Sequence, residues 1–125
     1  MNPHINELTH EIIGSAIEVH RALGPGLLES SYRECLCHEL FLRGIPHVRE
    51  RKFPIVYKGK KLPAGYRPDI VVAKLVVVEC KTVTALAPIH DAQLLTYLCL
   101  GCWRVGLLIN FNVTLLKNGL KRLVN

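Results

Sequence analysis

Asp69, Glu79 and Lys81 are the residues whose types and spacing fit one reaction together. Side chains alternate faces along a β-strand. Glu79 and Lys81 therefore point the same way, roughly 6–7 Å apart at a rise of ~3.3 Å per residue. If the run from Tyr66 to Ala73 pairs with the run from Leu75 to Lys81 as a hairpin, Asp69 lies beside them. Two carboxylates and an ammonium then converge at one end of a sheet, and phosphodiester hydrolysis uses that set. Carboxylate oxygens hold Mg2+ (or Mn2+), which keeps waters and reaches substrate phosphate. The ion lowers the pKa of a bound water and neutralises charge on the phosphate. Lys81 is placed to orient that water or to stabilise the transition state. The backbone carbonyl of Cys80 is a further candidate ligand.

A Glu-x-Lys pair alone is an ordinary surface ion pair of small energetic value. Three features set this one apart. Asp69 precedes Glu79 by ten residues, in the pair Pro68-Asp69. The strand carrying Glu79 opens Leu75-Val76-Val77-Val78, too apolar for a surface ribbon. Gln93 and Tyr97 follow on a predicted helix, one turn apart on one face.

Charge distribution agrees with an anionic substrate. Of a net +6, residues 1–50 hold seven acids and four Lys or Arg, whereas residues 51–125 hold three acids and twelve. A basic half points to a polyanion such as nucleic acid. Arg51, Lys52, Lys60, Lys61 and Arg67 are the candidate nucleic-acid contacts.

The elements that position these residues follow from periodicity. Leu8, Ile12, Ala16, Val19 and Leu23 predict a first helix, capped at Asn6 or Thr9 and ended by Gly24-Pro25-Gly26. A second helix is expected from about Leu27 to Leu42, with Glu29, Tyr32 and Leu36 on one face. Phe53–Tyr57 reads as an edge strand because of Pro54. Pro88 opens a third helix through about Leu100, and Arg104–Asn110 and Leu120–Val124 read as strands. The order ααβββαββ implies an α/β fold, one sheet flanked by helices. A single domain over residues 1–125 is expected, able to bury about 65% of its unfolded surface.

No apolar run approaches the ~18 residues of a membrane span. Residues Met1–Glu7 lack the basic and apolar regions of a signal peptide, so a soluble, cytoplasmic protein without membrane contact is expected. Five irregularly spaced cysteines argue against a disulfide framework or a redox or metal cluster. Cys80, Cys99 and Cys102 read as small buried side chains, His20 as a structural histidine and Trp103 as a core anchor at the start of a strand.

The series Pro68-Asp69, Glu79-Cys80-Lys81 and Gln93-x-x-x-Tyr97 resembles the PD-(D/E)XK nuclease superfamily, its last element the RecB-like branch. The segment Leu23 to Tyr32 resembles the GxxExxY protein family at Gly26, Glu29 and Tyr32, as does Gly106 to Phe111, so the likeness covers about residues 6–125. The resemblance implies a restriction-endonuclease-like core with a mixed sheet of four or five strands. It implies Asp69 and Glu79 as metal ligands, Glu29 as completing the metal shell directly or through water, and Lys81 as serving the attacking water. Gln93 and Tyr97 would position Lys81 or the nucleic-acid backbone. Tyr32 reads as packing rather than chemistry.

Two functions are compatible with these residues. One is a Mg2+- or Mn2+-dependent nuclease acting on DNA. The other is a nucleic-acid-binding or assembly module that keeps the fold without turnover. The intact acid–acid–lysine set favours the first. The length of 125 residues leaves no room for a separate recognition domain, which favours the second or a homodimer.

Overall fold

In the computed structural model, which describes residues 4–125, two parallel strands lie at the centre. They are the fifth and sixth in chain order: β5 (Val76–Lys81) and β6 (Val105–Asn110). Both read as near-continuous apolar runs because both faces of the sheet are covered. β1 (His47–Arg49), β4 (Ile70–Val72) and β7 (Leu120–Val124) complete a five-stranded mixed sheet in the order β1-β4-β5-β6-β7. Met1–Pro3, part of the span expected as one domain and as free of a signal peptide, lie outside the described residues.

Helices cover the two faces unequally. α1 (His4–Leu23) and α2 (Glu29–Leu42) pack on the face built from Ile70, Val72, Val76, Val78, Cys80, Leu107 and Ile109. α3 (Pro88–Gly101) crosses between the parallel strands and packs Leu94 and Leu98 on Val71, Val77 and Leu108 of the other face. Gly106 is the seat for that helix, because a Cβ there would lie 2.9 Å from Leu94 Cδ1. Val77 is thus on the α3 face, and alternation puts Glu79 and Lys81 there too.

The sequence expectation of one strand from Tyr66 to Ala73 is corrected. Tyr66 ends β3 (Lys60–Tyr66), which pairs with β2 (Phe53–Tyr57) in a separate two-stranded ribbon. Pro68 has no N–H for a ladder and disfavours helical backbone at Arg67, so the chain breaks between ribbon and sheet. The ribbon's base is tight: a Cβ on Gly65 would lie 1.7 Å from Phe53 O. Phe53 and Tyr66 stack there, 5.7 Å between ring centroids, and Trp103 meets Phe53 edge-on at 5.1 Å. Trp103 is the expected anchor, although the strand after it starts two residues later, at Val105.

Three smaller expectations are also corrected. α1 begins at His4, so neither Asn6 nor Thr9 caps it, and Thr9 Oγ1 donates to Asn6 O within the helix. α2 begins at Glu29 rather than Leu27. Cys99 and Cys102 are exposed, because α3 meets the sheet through Leu94 and Leu98, whereas Cys80 is buried as expected. All five cysteines are free. His20 is structural, its Nε2 2.7 Å from Val113 O. Among the described residues no helix is long and apolar enough to cross a membrane.

Candidate active site

The β4–β5 hairpin decides where the carboxylates stand. Its register pairs Ile70 with Val78, so the next residues outward, Asp69 and Glu79, face each other at the strand end. Each carboxylate bonds to the other's segment. Asp69 N–H donates to Glu79 Oε1 at 2.9 Å, and Cys80 N–H donates to Asp69 Oδ2 at 2.8 Å. The second bond follows from the fold: β4 starts only at Ile70, so the Cys80 N–H has no ladder partner and the Asp69 side chain takes its place. A strand residue's N–H and C=O leave on the same lateral side, so the Cys80 carbonyl also opens toward Asp69.

Glu79 is only 4% exposed. Burial, and then the nearby Asp69 charge, push its carboxyl up to about 8, against the opposing pull of Lys81. Glu29, at the first turn of α2, is near enough for the charges of Asp69 and Lys81 to act on it. Burial raises its pKa and Asp69 raises it further, while Lys81, Arg33 and His90 oppose the shift. The Asp69 charge therefore acts unfavourably on both of the other carboxylates.

Lys81 is oriented from α3. Its Nζ donates to Gln93 Oε1 at 3.1 Å, and Gln93 Nε2 lies 3.3 Å from the Tyr97 hydroxyl. Burial, then the Glu79 charge, raises the Tyr97 pKa. The backbone at Lys81 is pinned from β6: Lys81 O accepts from Phe111 N–H at 2.9 Å. The buried Asn110 side chain brackets Val83, accepting from its N–H at 3.1 Å and donating to its carbonyl at 2.9 Å.

Tyr32 explains how Glu29 is placed. Its ring, fully buried, stacks on Phe111 at 4.6 Å. Its hydroxyl donates to Gly24 O at 2.5 Å and accepts from Leu27 N–H at 3.1 Å. This ties down the Gly24–Leu28 loop, in which Gly26 has a φ of 105°, a conformation that suits glycine. Tyr32→Phe keeps the ring and removes both bonds. Denaturant unfolding of that variant should show a loss of about 1–3 kcal/mol.

The structure thus brings together Glu29, Asp69, Glu79, the Cys80 backbone, Lys81, Gln93 and Tyr97. It does not bring the five basic candidates into that cluster. Arg51, Lys52, Lys60, Lys61 and Arg67 are all exposed on the ribbon or its flanks, with Arg67 two residues before Asp69. Among the described residues no three His, Cys, Asp or Glu side chains stand in a ready ligand cluster. Asp69 and Glu79 spend oxygens on backbone N–H groups instead.

Sequence reasoning missed three neighbours of the site. Arg33 Nη2 lies 2.7 Å from Glu50 Oε1, and its Nη1 lies 3.6 Å from Asp69 Oδ1. The signal for Arg33 was its place four residues after Glu29, on the same helix face. Glu50 had no local signal. His90 precedes Gln93 by three residues and Tyr97 by seven, so all three share a face of α3. Its Nδ1 accepts the Ala87 N–H at 2.9 Å.

No curated protein and no solved structure matches the chain. A family model of the PD-(D/E)XK nuclease superfamily matches residues 6–123, almost the whole length. A mixed sheet covered by helices on both faces, with the acid–acid–lysine series at the end of its hairpin, is consistent with that match, and the chain belongs to the PD-(D/E)XK nuclease superfamily.

Proposed function

We propose that this protein is a divalent-metal-dependent nuclease that hydrolyses phosphodiester bonds, with DNA as its substrate. The observation that carries the reading is the placement of Asp69 opposite Glu79 at the end of the hairpin, with Lys81 two residues on, held from α3 by Gln93. Within the superfamily, Gly26, Glu29 and Tyr32 support membership of the GxxExxY family, and Gln93-x-x-x-Tyr97 supports its RecB-like branch.

The donor set fits a hard cation. Crowded carboxylates, one of them pushed up to about 8 by burial and a neighbouring charge, are relieved by Mg2+ or Mn2+. Glu29, Asp69 and Glu79 would hold the ion, with the Cys80 carbonyl as a further ligand. Bound there, such an ion supplies a more acidic water and neutralises charge on the phosphate. Lys81 keeps donor capacity beyond its bond to Gln93, enough to orient a water or to meet charge growing on the phosphate. Gln93 and Tyr97 hold the Lys81 ammonium on the carboxylate side. One observation favours the second reading, a binding module without turnover: Asp69 is already engaged by the Cys80 N–H and by Arg33. Cleavage of labelled DNA and RNA with Mg2+ or Mn2+ separates the two.

Basic residues of the ribbon supply the substrate contact. From Arg51 to Pro68 the chain has no Asp or Glu. β3 alone, seven residues long, reaches about 23 Å at strand rise. A two-stranded ribbon of this kind fits the major groove of B-DNA, whereas the major groove of A-form RNA is too deep and narrow to admit it. The expected contacts are Arg51, Lys52, Lys60, Lys61 and Arg67. Each phosphate neutralised contributes about −0.9 to the slope of log K against log salt, so five give about −4.5. Replacing Lys60 and Lys61 together by Ala should flatten the slope by about 2 in fluorescence-anisotropy titrations of duplex DNA. Salt-independent binding, or a slope unchanged by the double substitution, would remove the ribbon from the interface.

A further inference from the structure

Arg33 stands among three carboxylates. Glu29 is one turn earlier on the same face of α2, Glu50 lies at hydrogen-bond distance (2.7 Å), and Asp69 is at 3.6 Å. The Arg33 side chain is largely buried, at 18% exposure, and that of Asp69 is more so, at 15%. The distances rank the partners: a charge-assisted hydrogen bond holds Arg33 to Glu50, and only a longer ion-pair contact links it to Asp69.

Glu50 is itself tied to Asp69. Its N–H donates to Asp69 O at 2.9 Å, and its φ of 52° is a conformation seldom adopted by residues with a side chain. Such backbone persists where the surroundings over-determine it, often beside functional groups. One residue thus holds the Asp69 backbone and also the cation that faces the Asp69 carboxylate. The two oxygens of that carboxylate have different roles. Oδ2 accepts the Cys80 N–H, and Oδ1 faces Arg33. Oδ1 is therefore the oxygen left for a cation to take.

We infer that Glu50 and Arg33 are a positioning pair that controls access of a divalent cation to Asp69. Glu50 holds the guanidinium back from Oδ1. Without the Glu50 charge, Arg33 closes from 3.6 Å to hydrogen-bond distance and competes with the cation for that oxygen. The inference rests on the metal-site reading given under Proposed function. It goes beyond that reading by assigning a role to two residues outside the acid–acid–lysine set.

Mn2+ titration without nucleic acid, followed through the signal of free Mn2+, tests it in four proteins: wild type, Glu50→Gln, Arg33→Gln and the double variant. Glu50→Gln should weaken Mn2+ binding about 10-fold or more, the usual effect of losing an outer partner of a ligand. Arg33→Gln should tighten it. The double variant should match Arg33→Gln, because Glu50 acts only through Arg33. Simple charge counting predicts otherwise: one positive and one negative group removed would restore the wild-type affinity additively. Additivity, or an unchanged Glu50→Gln, overturns the inference and leaves the metal site standing. A wild type that binds no Mn2+ overturns the metal site and this inference with it. Metal-free thermal melts check that each variant is folded, and Arg33→Met, which keeps the packing of the stem, replaces Arg33→Gln if the latter is not.

Discussion

Glu79→Gln is expected to bind no divalent metal and yet to be more stable than the wild type in metal-free buffer at neutral pH. Burial and the Asp69 charge hold the Glu79 carboxyl at about 8 in the folded protein, against an ordinary value of 4.5. A carboxyl raised by folding gives its full stabilisation below the ordinary value, and that contribution is lost as pH rises through the folded one. Wild-type stability should therefore fall, relative to Glu79→Gln, from about pH 4.5 to about pH 8, and the gap should be flat beyond. At pH 7 the gap is on the order of 3 kcal/mol. The amide keeps the bond from Asp69 N–H, so geometry is preserved while the charge is not. Urea melts of both proteins across pH read the gap directly. The same proton must leave when metal binds, so wild-type metal affinity should rise with pH up to about 8. Asp69→Asn should also lose metal binding, because an amide is a poor replacement for a carboxylate on a hard cation.

Lys81→Ala should leave metal binding intact and lower kcat by about 100-fold or more, the scale for removing one preorganised donor at a reacting centre. Lys81 is half-buried and its ammonium bonds Gln93, so truncation removes a held donor and not a ligand. Gln93→Ala should give a smaller loss in kcat, since Lys81 keeps its charge but loses its tether. Single-turnover kinetics at saturating metal separate these effects from binding. A Lys81→Ala variant with full turnover would remove Lys81 from the chemistry.

The part of the site that was legible in the sequence is the part that a strand encodes locally. Val76–Val78 had to be buried on both faces, and alternation then fixed Glu79 and Lys81 on one side. Asp69 followed from the hairpin, because Ala73–Lys74 leave almost no chain between two apolar runs. The ribbon was half hidden. β3 carries Pro63 and Gly65, residues that normally mark turns, and its role shows only when Gly65 is seen against Phe53. β1 is three residues long and poorly buried, so it carried no period to read. Arg33 and Glu50 meet Asp69 from segments far apart in the chain, and no local pattern joins them. Cys99 was misplaced because an apolar helix with a weak stripe does not reveal which residues face the sheet, and Cys102 because it lies just past the helix, in a left-handed turn.

The most direct measurement is cleavage of end-labelled single- and double-stranded DNA and RNA with Mg2+ or Mn2+, for wild type and Lys81→Ala side by side. The wild type should cut duplex DNA, stop when the metal is chelated, and leave duplex RNA largely intact. Lys81→Ala should bind the same metal and the same DNA without cutting it. Equal cleavage by the two proteins, or no cleavage by a wild type that binds both metal and DNA, would contradict the nuclease account and leave a binding module in its place.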